Sequence, residues 1–127
     1  AGSGVCDVLA HPDLVKVAGH RPARPLEFYD RMAEAAARSG MAAELSSAGW
    51  RKPAEEAYPA PPLLERFRRA GVPLTTASDS HGVSDVAHRS ADLRRLLEVA
   101  GYDSLCAFRC RQPQPVALAP AVPSEAG

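Results

Sequence analysis

Residues 62–81 read PLLERFRRAGVPLTTASDSH, from Pro62 to His81. A proline opens the stretch, where its missing N–H costs a helix nothing. Leu63, Leu64, Phe67 and Ala70 then recur at helical spacing, and Gly71 supplies a left-handed stop. The β-branched and apolar run from Leu74 (LTTAS) follows at once. A short amphipathic helix leading directly into a buried strand is half of a βαβ crossover.

The same alternation extends outward in both directions. Short apolar runs open at Val5 (VCDVLA), Ala42 (AAELS), Leu74 and Leu105 (LCAF), so one strand begins about every 30 residues. A first helix is expected from about Leu26 to Ser39, with Pro25 at N1, Gly40 as its stop, and Tyr29, Met32, Ala33 and Ala36 on one face. A third carries Leu93, Leu96, Leu97 and Ala100, with Ser90 as N-cap and Gly101 past its end. Strands alternating with helices at this spacing predict an α/β fold with a parallel sheet. Pro115 to Leu118 reads as one more short strand, and residues 119–127 (APAVPSEAG) as a disordered tail.

Composition narrows the function classes. The chain has 127 residues, enough for one modest domain. Lys plus Arg and Asp plus Glu are 15 each, so the net charge is zero. That balance disfavours long nucleic acids and anionic membranes as partners. No apolar run approaches the ~18 residues of a membrane span, and the start shows no signal-peptide pattern. Cys6, Cys106 and Cys110 are an odd set without a CxxC, which points to small buried thiols in a reducing, cytoplasmic setting.

Three segments at expected strand ends carry the candidate chemistry. In Ser78-Asp79-Ser80-His81, extended geometry would aim Asp79 and His81 to one side as a pair of metal ligands. Read alone, D-x-H fits a capping aspartate beside an exposed histidine equally well. In Ala10-His11-Pro12-Asp13, Pro12 is expected to hold His11 extended at the end of the first strand. In Glu44 to Pro53 (ELSSAGWRKP), Glu44 needs a partner or a polar interior, and the small residues from Ser46 to Gly49 allow close backbone approach to a ligand. Arg51 and Lys52 then offer positive charge to an anion. The long loops at 13–24 and 49–60 both follow strands, on the face where α/β folds keep their active sites. His20 lies in the first of these loops without a motif role, and His88 reads as a solvated residue near a helix start.

DVLAHPDLVK, ELSSAGWRKP and AYPAPPLLERFRRAGVPLTTASDSHGVSDVA, in this order, resemble the C-terminal half of a domain of the PHP superfamily (polymerase and histidinol phosphatase). The similarity is to the histidinol-phosphatase type and covers nearly all of Val5 to Leu118. It implies the later part of a distorted, TIM-like (β/α) barrel over residues 1–118, with a multinuclear centre of divalent Zn, Mn or Fe. His11, Asp79 and His81 match the family's later metal ligands. Arg51 matches the position expected to meet a substrate phosphate, with Lys52 and Lys16 beside it, and Glu44 and Ser46 stand behind these groups. Ser46 occupies a position where many relatives carry Asn. The family's opening H-x-H motif is not in this chain, so the site is expected to need the first half of the barrel or self-association.

The resemblance implies a metal-dependent phosphomonoester hydrolase acting on a small phosphorylated substrate, L-histidinol phosphate, in histidine biosynthesis. The alternatives are a phosphoesterase for nucleotides or oligonucleotide ends, and a non-catalytic half-domain.

Overall fold

A computed structural model describes residues 3–19, 21 and 23–118, so His20 and the tail at 119–127 lie outside the described residues. The three helices follow the apolar spacing. α1 (Pro25–Ser39) starts with proline, buries Tyr29, Ala33 and Ala36, and keeps Met32 partly covered. It ends where Gly40 turns left-handed at φ 65°. α2 (Pro61–Arg69) begins one residue earlier than expected and buries Leu63, Leu64 and Phe67. Ala70 falls at its C-cap and is exposed rather than part of the stripe. α3 (Ser90–Ala100) buries Leu93 and Leu97. Ser90 is its first helical residue and not its cap. Arg89 takes the cap position with a left-handed φ of 52° and reaches Asp92 through its side chain at 2.7 Å.

β1 (Val8–Leu9), β2 (Ala42–Ser46) and β3 (Leu74–Ala77) form a parallel sheet in the order β1-β2-β3, with α1 and α2 as the crossovers. β1 is shorter than VCDVLA suggested. Helix α1 packs on α2, and α2 on α3. Strand alternation sends Ala43 and Leu45 of the central strand into the core with Leu63, Phe67, Leu74 and Leu97. Ala42, Glu44 and Ser46 therefore belong to the opposite face of the sheet. Glu44 is the one β2 residue that is not buried.

The fourth apolar run departs from expectation. β4 (Ser104–Arg109) does not join the parallel sheet but pairs antiparallel with β5 (Gln112–Ala117). The turn between them is Cys110-Arg111, both left-handed at φ 49° and 64°. Two positive φ values are the mark of the tight turn that matches strand twist, usually built from Asn and Gly. Pro113 and Pro115 stand opposite Phe108 and Cys106, alternate positions whose N–H groups would point away from β4. They leave the outer edge of β5 without those two donors, so it is a poor template for another strand. Tyr102 donates its hydroxyl to the Val72 carbonyl at 2.8 Å, and Arg111 forks onto Asp7 at 2.8 and 3.2 Å. Val72 leads into β3 and Asp7 into β1, so the hairpin is tied to the segments that enter the sheet.

The described residues thus form an α/β unit with three parallel strands and a separate hairpin; they do not close a barrel. Among them, no helix is long and apolar enough to cross a membrane. Cys106 is buried as expected, whereas Cys6 and Cys110 are exposed free thiols.

Candidate active site

Parallel strands share a carboxyl end, so the segments leaving β1, β2 and β3 emerge on one side of the sheet. The first of them carries His11. Its Nδ1 lies 2.9 Å from Glu44 Oε1, and its backbone N–H donates to the same oxygen at 3.3 Å. The Glu44 side chain is only 14% exposed. The partner that a mid-strand glutamate requires is therefore His11. Nδ1 is within ion-pair distance of the carboxylate but makes no hydrogen bond with it, so the hydrogen bond between the two residues is the backbone one.

The second group centres on Arg51, whose side chain is 21% exposed. Its Nη2 donates to the carbonyls of Ser78 at 2.8 Å and Asp79 at 3.1 Å, and its Nε lies 3.9 Å from Asp85 Oδ1. Nη1 is buried and has no protein partner. A guanidinium has five donors in a fixed fork, so this one holds the end of β3 and leaves one buried nitrogen without a protein partner. His81 Nδ1 lies 2.8 Å from the Asp79 carbonyl, and the His81 backbone N–H donates to Asp85 Oδ2 at 3.4 Å. Asp79 and His81 are both exposed.

Two expectations about backbone shape do not hold. β3 stops at Ala77, and Asp79 is left-handed at φ 50°, so period-2 alternation does not relate it to His81. His11 is also left-handed, at φ 47°, despite the proline after it. Proline hinders the right-handed helical region of its predecessor; it does not impose extension. Left-handed non-glycine residues are uncommon, and two of the three expected metal ligands adopt that shape.

Four further residues take places that the sequence did not indicate. Lys16, expected beside the substrate phosphate, is only 2% exposed and has its ammonium turned into the chain. Its ammonium meets Asp13 Oδ2 at 2.7 Å and donates to Glu56 Oε2 and the Ala57 carbonyl at 3.0 Å each. Two hydrogen bonds and one ion pair thus engage the ammonium inside the chain. Ser46 is fully buried and accepts from the Ala48 N–H of its own turn. The backbone approach at Gly49 is to the chain itself: a Cβ there would stand 1.9 Å from the Glu56 carbonyl oxygen. His88 is half-buried in the turn before α3, beside Arg89, whose guanidinium stacks on the Trp50 ring at 4.1 Å. Lys52 is exposed.

Asp13 is the residue that sequence reasoning passed over. Buried and left-handed at φ 75°, it accepts from the Tyr29 hydroxyl at 2.9 Å and the Ala60 N–H at 3.1 Å, and pairs with the Lys16 ammonium at 2.7 Å. Burial first, then the bond to Asp13, pushes the Tyr29 hydroxyl above the ordinary phenol range, so it stays a neutral donor. The Asp13–Lys16 spacing was legible as an i, i+3 pair; Glu56, 40 residues away, was not.

Burial alone would push the Glu56 carboxyl up, but hydrogen bonds from Arg21 and Lys16 more than offset it and hold its pKa below the ordinary 4.5. A depressed carboxylate contributes stability that is fully present above its unfolded value and is lost as pH falls through the folded one. The urea midpoint should therefore begin to fall near pH 4.5 and continue below it. Glu56→Gln should flatten that part of the profile; an unchanged acid limb in the variant would contradict the assignment.

Among the described residues, no group of three or more His, Cys, Asp or Glu side chains is arranged to hold a metal ion. His11, Asp79 and His81 therefore do not by themselves make a metal centre. His11 sits with Glu44, and Asp79 and His81 sit with Arg51 and Asp85.

No family model matches this chain. Over 116 residues it is 37% identical to a protein of Deinococcus radiodurans named probable histidinol-phosphatase. The match takes in 91% of this chain and 44% of that relative, so the chain spans less than half the relative's length.

Proposed function

We propose that this chain is part of a phosphomonoester hydrolase of the histidinol-phosphatase type, cleaving L-histidinol phosphate to L-histidinol and phosphate within histidine biosynthesis. The observation that carries the reading is Arg51: a half-buried guanidinium with one unpartnered nitrogen, fastened to the backbone of the segment that bears Asp79 and His81. A fixed positive fork of this kind suits a phosphoryl group whose negative charge must be neutralised in the transition state. The similarity to the probable histidinol-phosphatase of D. radiodurans supports the same reading.

On this proposal residues 1–118 are the later part of a PHP-type barrel. The polar face of β2 that carries Glu44 and Ser46 would be turned to its interior, and the preceding part, or a second copy, would complete the site. Metal dependence belongs to the proposal too: ligands from beyond this chain would have to join His11, Asp79 and His81. On this reading Glu44 orients His11, Arg51 meets the phosphate, and Lys52 adds surface charge.

The test is phosphate release from L-histidinol phosphate by the purified full-length protein with Mn or Zn. Asp79→Ala and His81→Ala should each abolish it; undiminished release from either removes that residue from the site. A wild type silent on this substrate but active on nucleotides would move the function to the nucleotide phosphoesterases. Silence on every phosphoester would leave a non-catalytic domain. Glu44→Gln should retain the fold and lower activity about 10- to 100-fold, since groups that orient a ligating histidine carry effects of that size.

A further inference from the structure

Loops on the active side of an α/β sheet are held mainly by their own contacts, and here two of them are joined through one buried cation. Lys16 lies in the turn after β1, five residues beyond His11. Its ammonium bonds to Glu56 and to the Ala57 carbonyl, both in the segment after β2 that begins beyond Ser46 and includes Arg51. Asp13 closes the ring, bonding Lys16 on one side and the Ala60 N–H on the other. Arg21 adds bonds to Glu56 and to the Ala54 carbonyl at 2.8 and 3.3 Å. Within the second segment, Gly49 is packed against the Glu56 carbonyl, so Arg51 and Glu56 belong to one tightly folded block. Two carboxylates and a carbonyl surround the ammonium, which is only 2% exposed and turned away from solvent.

We infer that Lys16, acting through Asp13 and Glu56, is a positioning residue that sets His11 and the Arg51 block in fixed relation. The inference rests on the proposed reaction for its consequence, but the latch itself is a matter of structure. A displacement of about 1 Å between groups that act together can cost on the order of 10²-fold in rate.

The experiment compares wild type, Lys16→Met, Glu56→Gln and the double variant in the full-length protein. Hydrogen exchange is followed at the Gly19 and Ala60 amides, which bond to the Lys16 carbonyl and the Asp13 carboxylate. Both single variants should speed exchange at both amides together, and the double variant should be no worse than Lys16→Met. In phosphate release, kcat should fall by up to about 10²-fold with KM nearly unchanged, and Glu56→Gln should shift it in the same direction. Four results would overturn the inference: a raised KM at unchanged kcat in Lys16→Met with Glu56→Gln silent, loss of protection in one loop only, additive effects in the double variant, or joint loss of protection with wild-type kcat. If Lys16→Met does not fold, Glu56→Gln, at a site 26% exposed, carries the test alone. If the wild type has no phosphatase activity, the functional reading fails, while the exchange data still decide the latch.

Discussion

Arg51→Ala should lower kcat/KM for phosphate release by about 10²- to 10³-fold, the range expected when one preorganised donor to a developing charge is removed. The loss has two sources. On the proposed reading the phosphate loses its fixed cation, and the Ser78 and Asp79 carbonyls lose the donor that holds the end of β3. Arg51→Lys should recover little. An ammonium keeps the charge, but its donors do not form the planar fork that can hold two carbonyls and still present a nitrogen on another side. Urea unfolding of both variants should stay near wild type, because the side chain is partly exposed and outside the apolar core. A Lys variant with full activity would show that only charge matters at this position, and the geometric argument would fail.

Gly49→Ala should produce the largest loss of stability from a single added methyl group, about 3 kcal/mol in urea unfolding, the upper part of the range for overpacking a filled site. The added Cβ would stand 1.9 Å from the Glu56 carbonyl oxygen and 3.0 Å from the Tyr58 ring. The nearer atom is backbone and cannot rotate away as the end of a side chain could. Ser46 and Tyr58 exchange two backbone hydrogen bonds beside it, which leaves the segment little room to relax. Because Arg51 lies two residues on, activity should fall along with stability. Gly82→Ala is the control: nothing lies within 4 Å of its built Cβ, its φ is extended at −154°, and its unfolding midpoint should move little. Equal midpoints for the two alanine variants would refute the packing argument.

Much of the architecture was legible because its causes are local. Pro25 and Gly40 bracket α1, Gly71 and Gly101 end the later helices, and apolar spacing selects the buried faces. The hairpin was not legible. Its turn is Cys110-Arg111, residues with no preference for positive φ, so no Asn-Gly signal marked it. The candidate site divides in the same way. Glu44 advertised its need for a partner by standing charged in a strand, and the partner is His11. Lys16 looked like a free cation next to other cations because its two carboxylates come from opposite ends of a loop system: Asp13 is three residues away and Glu56 is 40.

By itself, then, the sequence determined the three helices, the three parallel strands that alternate with them, and the short list of polar residues at the sheet's carboxyl end. Those follow from periodicity and capping, which act within a few residues. Only the tertiary structure decided what those polar residues meet: Arg51 holds the Ser78 and Asp79 carbonyls and leaves one buried nitrogen without a protein partner, while Lys16 turns its ammonium into the chain. That distinction depends on who meets whom across long separations, where burial makes an unpaired charge costly.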